Sequence, residues 1–325
     1  MMTKLKLSSR MHLFIIISTA IAVIGLAVGL ICQFIADGYF NFGAEFKSYN
    51  SVEVNYAYVD YSDEDSVIEV CDDVFGKAGV SYFASTFGET DEGGRIIFKF
   101  SKNIDSETLT SVAAQIIDAL ANGEDNTQTT ASFHNVETRL NGGKVLTFVS
   151  IALASAVVLQ FLYFLARYKV TMAFAALLAN FHNLIIYVSL LAITRVPVGI
   201  SAVAFGVLTV LVTMIACAFI FDRYRRNLKK ETFAKLDGDA QTDLCVRESF
   251  NSILYPVLGI AAAAVIIFVL LSISAMSVLT ILSPVLAAIF SVVSALYGSV
   301  FFIPSVYTRI KRIGDNVAAA SKNKK

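Results

Sequence analysis

Apolar residues dominate six stretches of the chain, and the polar residues between them are unevenly shared out. The stretches 12–36, 145–166, 170–194, 198–221, 252–273 and 278–307 are each mostly apolar over the roughly 20 residues that a helix needs to cross a bilayer. The first contains FIIISTAIAVIGLAVGLICQFIA. That run is longer than the apolar core of a secretory signal and has no small-x-small cleavage site before polar sequence begins. It reads as an uncleaved anchor.

Between the first and second stretches the period changes. SVEVNYAYV (51–59) alternates and is rich in β-branched and aromatic residues, which predicts a strand. Over 63–78, Val67, Ile68, Cys71, Val74 and Phe75 share one helical face. SYFASTF and GRIIFKFS predict two strands parted by the turn-rich ETDEGG. Asp105 can cap a second helix whose apolar stripe is Leu109, Val112, Ala113, Ile116, Ile117 and Leu120. TTASFHNVET supplies a last strand. The order βαββαβ is that of a ferredoxin-like domain, small and with a modest core.

The pattern therefore predicts an α-helical polytopic membrane protein with six transmembrane helices and a small α+β domain between helices 1 and 2. Residues 1–36 hold the N-terminus and first helix, 37–144 the ferredoxin-like domain, 145–308 helices 2–6 with a loop at 222–250, and 309–325 a basic tail.

Composition narrows the class. The 325 residues are 56% hydrophobic and 16% charged, with a mean hydropathy of +0.66. Those values exclude a soluble enzyme, a nucleic-acid binder and a disordered scaffold as whole-chain descriptions. A net charge of zero hides segregation. Lys4, Lys6 and Arg10, then Arg167 and Lys169, then FDRYRRNLKK (221–230), then Arg309, Lys311 and Arg312 all fall on one side of a six-span arrangement. The other side offers Arg195 and the uncharged SISAMS (272–277). Lysine and arginine collect in cytoplasmic loops, which predicts both termini in the cytoplasm and 37–144 outside it. That outer segment has 19 acidic and 7 basic residues, net −12.

Candidate chemistry is sparse. Cys32, Cys71, Cys217 and Cys245 show no CxxC spacing and read as inert thiols. Asp60, Asp63, Glu64, Asp65, Asp72 and Asp73 lack EF-hand spacing and its glycine, so they read as a solvated acidic face and not a metal site. With no phosphate-binding loop, dinucleotide fingerprint or nucleophile elbow, the sequence predicts neither an enzyme nor a bound cofactor.

Ionisable groups inside a bilayer are costly and usually functional. Here none lies between Arg195 and Asp222 or between Glu248 and Arg309. The third span has Asn180, His182 and Asn183. His182 is a candidate proton or substrate site; with no carboxylate to work against, a neutral imidazole hydrogen-bonded across helices with Asn180 and Asn183 is the favoured reading. Small residues in AFAALLA, GIAAAA and ALYGS permit close helix approach, and Pro256, Pro284 and Pro304 mark kinks. The stretch 222–250 reads as a positive stop followed by a surface helix able to hold anionic lipid head groups.

Several segments together resemble the SecF subunit of the bacterial protein-export machinery. NFGAEF (41–46) followed by SVEV (51–54) resembles the family's NFGIDF-TGGT lead into the head, and NVET (135–138) its VE-containing motif before the second span. FHN (181–183) sits where the family has a His-Asp pair. FDRYRRNLKK is similar to the FDRIREN signature through Phe221, Asp222, Arg223, Arg225 and Asn227. RESFN (247–251) and YGSVF (297–301) are similar to motifs opening the fifth span and closing the sixth. A head of about 100 residues resembles the F subunit more than the larger-headed SecD.

The resemblance implies a six-span half of a resistance-nodulation-division (RND) unit. It would pair with a SecD-like half beside the SecYEG channel and assist the late, external stage of moving a translocating polypeptide with the proton gradient. ATP would have to come from a partner such as SecA. Departures matter as much. The family's Asn-Asp pair before the signature falls on Ile215 and Ala216, its fifth-span arginine near Pro256, and its third-span aspartate on Asn183. Its TGGT glycines are replaced within Ser48, Tyr49 and Asn50. The resemblance thus implies an export subunit that lacks the proton-relay residues. Two other readings stand beside it: a stand-alone RND-type lipid or small-molecule transporter, and a membrane assembly protein with no transport role.

Overall fold

Alternation becomes a sheet and helical stripes become helices between residues 49 and 136. In the computed structural model, β1 (Tyr49–Ala57), α2 (Glu64–Ala78), β2 (Tyr82–Glu89), β3 (Gly93–Ser101), α3 (Ser106–Ala121) and β4 (Thr130–Val136) follow α1 (Met11–Ile35). The structure describes residues 11–35, 38–43, 46, 48–57, 64–90, 93–121, 129–137, 142–272 and 278–322. Lys4, Lys6, Arg10, Asp60, Asp63 and positions 273–277 of SISAMS lie outside those residues. The chain divides into two units, one of residues 1–41, 147–267 and 283–325, the other of 42–146 and 268–282.

In the second unit the strands form one antiparallel sheet in the order β2-β3-β1-β4, the ferredoxin-like arrangement. Strand alternation sends Val52 and Val54 of β1, with Ile96, Phe98 and Phe100 of β3, onto one face. Val67, Cys71, Val74 and Phe75 of α2 and Leu109, Val112, Ala113, Ile116 and Leu120 of α3 cover that face. Ile68 and Ile117, expected on the same stripes, are only partly buried because they lie at the stripe edges. The other face carries Glu53, which pairs with Arg95 at 2.9 Å.

The first unit contains the spans. Among the described residues, six helices are long and apolar enough to cross a membrane: Leu13–Ile35, Gly143–Arg167, Val170–Thr194, Ile200–Asn227, Gly238–Leu270 and Leu282–Gly314. They belong to α1, α4 (Gly142–Arg167), α5 (Val170–Thr194), α6 (Ile200–Asn227), α8 (Gly238–Ser272) and the run from α9 (Val278–Tyr297) into α10 (Ile303–Lys322). The chain is a multi-pass membrane protein.

Two boundaries depart from the hydropathy reading. The segment 222–250 is largely helical: α6 continues to Asn227, the short α7 spans Glu231–Ala234, and α8 starts at Gly238. Asp237 Oδ1 caps α8 by accepting from the Ala240 amide at 2.7 Å, and Cys245 and Val246 turn into the core. Hydropathy finds where a helix is apolar, not where it begins. The last span holds a π-helical turn at Gly298–Phe302, where the Ile303 amide reaches the Gly298 carbonyl. Pro304 follows directly; having no N–H, it cannot continue the regular ladder, and the wider turn absorbs the break.

Arg195 closes α5 in the left-handed region (φ 54°). Its guanidinium donates to the carbonyls of Gly38 and Tyr39 at 3.1 and 2.8 Å, and Asn41 donates back to the Arg195 carbonyl at 3.0 Å. Asn41, the first residue of the NFGAEF motif, thus ties the segment after α1 to the α5–α6 junction.

Candidate functional site

Two groups of sequence-flagged residues come together, at different levels of the first unit. At one end of the spans the FDR signature builds an aromatic and ionic knot. Phe221 packs edge-on against Phe164 and Tyr168, with ring centroids 5.9 and 5.8 Å away, and against Tyr307 at 5.6 Å.

Arg223, Arg225 and Arg226 all lie within four residues of Asp222 in sequence, yet none of them is its partner. Asp222 pairs with Arg167 at the end of α4, at 3.1 Å, and accepts a 3.0 Å hydrogen bond from the Tyr168 hydroxyl. Burial, then this bond to the carboxylate, pushes the Tyr168 phenol above its usual value. The neighbouring arginines have other duties. Arg225 donates at 3.2 Å to the Arg167 carbonyl, satisfying a carbonyl that α4 leaves open at its C-terminus. Arg223 stands 3.5 Å from Glu248. Asn227 donates to the same carboxylate at 2.8 Å, so Glu248 of RESFN and the signature form one unit.

Half-way along the spans lies a polar cluster. Asn183 is fully buried, and its amide stands 2.8 Å from Thr213 Oγ1 on one side and 3.1 Å from His182 Nδ1 on the other. That second side also faces the carbonyls of Ala179 and Ser294, at 3.3 and 3.2 Å. Carbonyls only accept, so the NH2 is assigned there and the amide oxygen accepts from Thr213. His182 Nδ1 then accepts from Asn183, and its Nε2–H donates to Ser18 Oγ at 2.8 Å. The Ser18 hydroxyl donates to the Phe14 carbonyl at 2.8 Å, which also accepts from the Tyr297 hydroxyl at 2.8 Å. The imidazole lies flat on Phe302, centroids 4.0 Å apart and planes 14° off parallel.

Among the described residues no carboxylate, lysine or arginine joins this cluster, and the Asn183 assignment favours the Nε2–H tautomer of His182. Protonating Nδ1 would set its N–H against the Asn183 NH2; turning the amide to accept would aim its oxygen at two carbonyls. Asn180 stays apart and donates back to the Ala176 carbonyl at 3.2 Å. Two residues before His182, at about 100° per residue, it looks out of the opposite side of α5.

Of the positions onto which the resembled family's relay residues would fall, Ala216 is fully buried, Ile215 half-buried and Pro256 exposed on α8. Sequence reasoning did not find Ser18, Thr213, Ser294 or Tyr297 as members of the cluster. A signal was available for the helix holding Thr213: Thr209 and Thr213 stand four apart in an otherwise apolar span, and Thr209 donates to Ser291 at 3.0 Å.

The family model for the C-terminal part of protein export membrane protein SecD/SecF matches residues 115–312. No curated protein sequence matches. Among solved structures, the crystal structure of SecDF in a super-membrane-facing form aligns with a TM-score of 0.64 and 15% identity, over 96% of this chain and 40% of that one. SecDF from Thermus thermophilus, described as a translocon-associated membrane protein, aligns with a TM-score of 0.54 and 14% identity, over 95% of this chain and 38% of that one. The chain thus spans about two-fifths of the structures it matches, and at these identities the likeness is one of fold.

Proposed function

The chain belongs to the SecD/SecF family of protein export membrane proteins, and from that premise we propose that it is the SecF-type half of a protein-export complex and does not itself carry protons. In this reading it pairs with a SecD-like half beside a SecYEG-type channel, binds no cofactor and catalyses no covalent chemistry. The F assignment is supported by the single small βαββαβ head and the FDR signature. Loop charge supports cytoplasmic termini with residues 37–144 outside.

The observation that carries the proposal is the composition of the polar centre. A proton carrier in a bilayer needs a group that ionises within the bundle. The centre holds Asn183 where the resembled family has an aspartate, Ala216 where it has another, and an imidazole locked between Ser18 and Asn183. Any coupling to the gradient then rests with the partner.

Affinity purification of a tagged chain from its native membrane tests the pairing. A SecD-like polypeptide in near-equal amount is expected, with translocase components at lower yield. Homodimers with no such partner would reject the proposal in favour of a stand-alone transporter. One feature favours that second reading: an apolar groove of about 500 Å³ between α4 and α5, lined by Leu153, Val157, Phe161, Leu177 and Phe181.

A further inference from the structure

A basic concavity of the first unit lies at the signature end, and the architecture described above does not require it. A cavity of about 550 Å³ opens where the α4–α5 junction, the end of α6 and α10 meet. Arg167, Lys169, Arg225 and Lys311 line it, and no carboxylate does among the described residues. Asp222, the nearest acid in the knot, is already paired with Arg167. Among the described residues, four cations against one acid leave an excess of three.

These cations are placed by packing. Arg167 and Arg225 both lie over the Tyr168 ring, 5.5 and 5.6 Å from its centroid. Lys311 Nζ donates to the Tyr224 hydroxyl at 2.9 Å. The Lys169 ammonium has no partner among the described residues. At the same mouth α5 begins with no side-chain cap, and its first two residues, Val170 and Thr171, line the concavity. Convergent guanidinium and ammonium groups beside open amides recognise a phosphate oxyanion.

Apolar positions decide which phosphate. Val170 and Leu228 line the same cavity and are 57% and 42% exposed, although they sit where spans emerge from the hydrocarbon. A free phosphate would leave them bare, whereas the upper acyl carbons of a lipid would cover them. We propose that this cavity binds the phosphate of an anionic phospholipid, with Lys169, Arg225 and Lys311 as the headgroup contacts. The inference needs only the membrane placement of the spans and is independent of the SecF-type reading. A diffuse basic surface that merely orients the protein is the competing account, and it predicts no dependence on which lysines are kept.

The full-length chain purified in detergent serves for the test, by thermal unfolding and native mass spectrometry with added lipid. Phosphatidylglycerol should raise the unfolding temperature and remain bound, while phosphatidylcholine and inorganic phosphate should do neither. K169Q/K311Q should bind phosphatidylglycerol more weakly, by roughly fivefold for each charge removed. K230Q/K235Q, which removes two charges outside the cavity, should bind like the parent. Equal losses in the two double variants, or stabilisation of the parent by inorganic phosphate alone, would overturn the proposal. Should K169Q/K311Q fail to fold, a photoactivatable phosphatidylglycerol on the parent protein decides: crosslinks in the peptide 167–172 support the site, and crosslinks confined to other peptides reject it.

Discussion

His182 Nε2 donates to Ser18 Oγ across 2.8 Å and so joins α5 to α1. α1 is also held by the Tyr297 bond to the Phe14 carbonyl and by close helix approach, as where Gly25 lies against Ser189. Ser18→Ala would remove the acceptor and leave the imidazole N–H unpaired. The expected cost is about 1 kcal/mol, read as a fall of a few degrees in the unfolding temperature of the purified protein. No change would mean the bond is not part of what holds α1.

Gly298 opens the π-helical turn directly against the Asn183 amide, which occupies the space a β-carbon would need. Gly298→Ala should therefore destabilise the bundle by about 1–3 kcal/mol, the range for overpacking. Asn183→Ala in the same chain should relieve much of that, because the obstructing amide is gone. A double-mutant cycle measured by thermal unfolding checks the coupling. Additive effects would show that the two residues do not constrain each other.

Asp222 holds Arg167 and the Tyr168 hydroxyl from the end of α6. Its ion pair is partly exposed and contributes modestly; the larger effect of Asp222→Ala is to leave the Tyr168 hydroxyl with only the longer 3.4 Å bond to the Ala218 carbonyl and to loosen the α4–α5 junction. A loss of about 1–2 kcal/mol is expected. Asp222→Asn should recover part of it, since an amide oxygen can still accept from the phenol. Equal losses in the two variants would show that charge alone matters.

Burial pushes the Cys71 thiol of the head up from about 9 to about 12. In the unfolded chain it ionises near its ordinary value, so between about pH 9 and 12 the unfolded state binds fewer protons than the folded one. The head must then lose stability as pH rises through that window. The buried thiol should also resist maleimide at neutral pH and react only on unfolding. Denaturant curves of the parent and Cys71→Ala at pH 7 and 10 give the difference: the pH-dependent loss should shrink in the variant.

How much of this was legible beforehand follows from what each pattern encodes. The head could be read almost element by element, because residues such as Val67, Cys71 and Leu109 recur at the spacing of the face they bury. The six spans followed from length and apolar content. The polar start of α8 did not, since its helical extent depends on the Asp237 cap and on Cys245 finding the core. The partner of Asp222 was also hidden: three arginines lie next to it in sequence, yet the one that pairs lies 55 residues away, while Arg225 is drawn to the open end of α4. His182 and Asn183 stood out as polar residues in an apolar span. Ser18 and Thr213 did not, because a hydroxyl that can bond its own helix carries no sign of which neighbour it meets.

The neutrality of the polar centre is tested most directly by His182→Phe. Phenylalanine can keep the stack on Phe302, and Asn183 keeps the Ala179 and Ser294 carbonyls, so assembly should survive. In cells carrying only the variant, export of a reporter protein should be measured with the proton gradient intact and after its collapse by an uncoupler. The account predicts that the difference between these two conditions is nearly the same as for the parent chain. If the complex assembles normally but the gradient-dependent part of export disappears, His182 is a proton carrier and the account is contradicted.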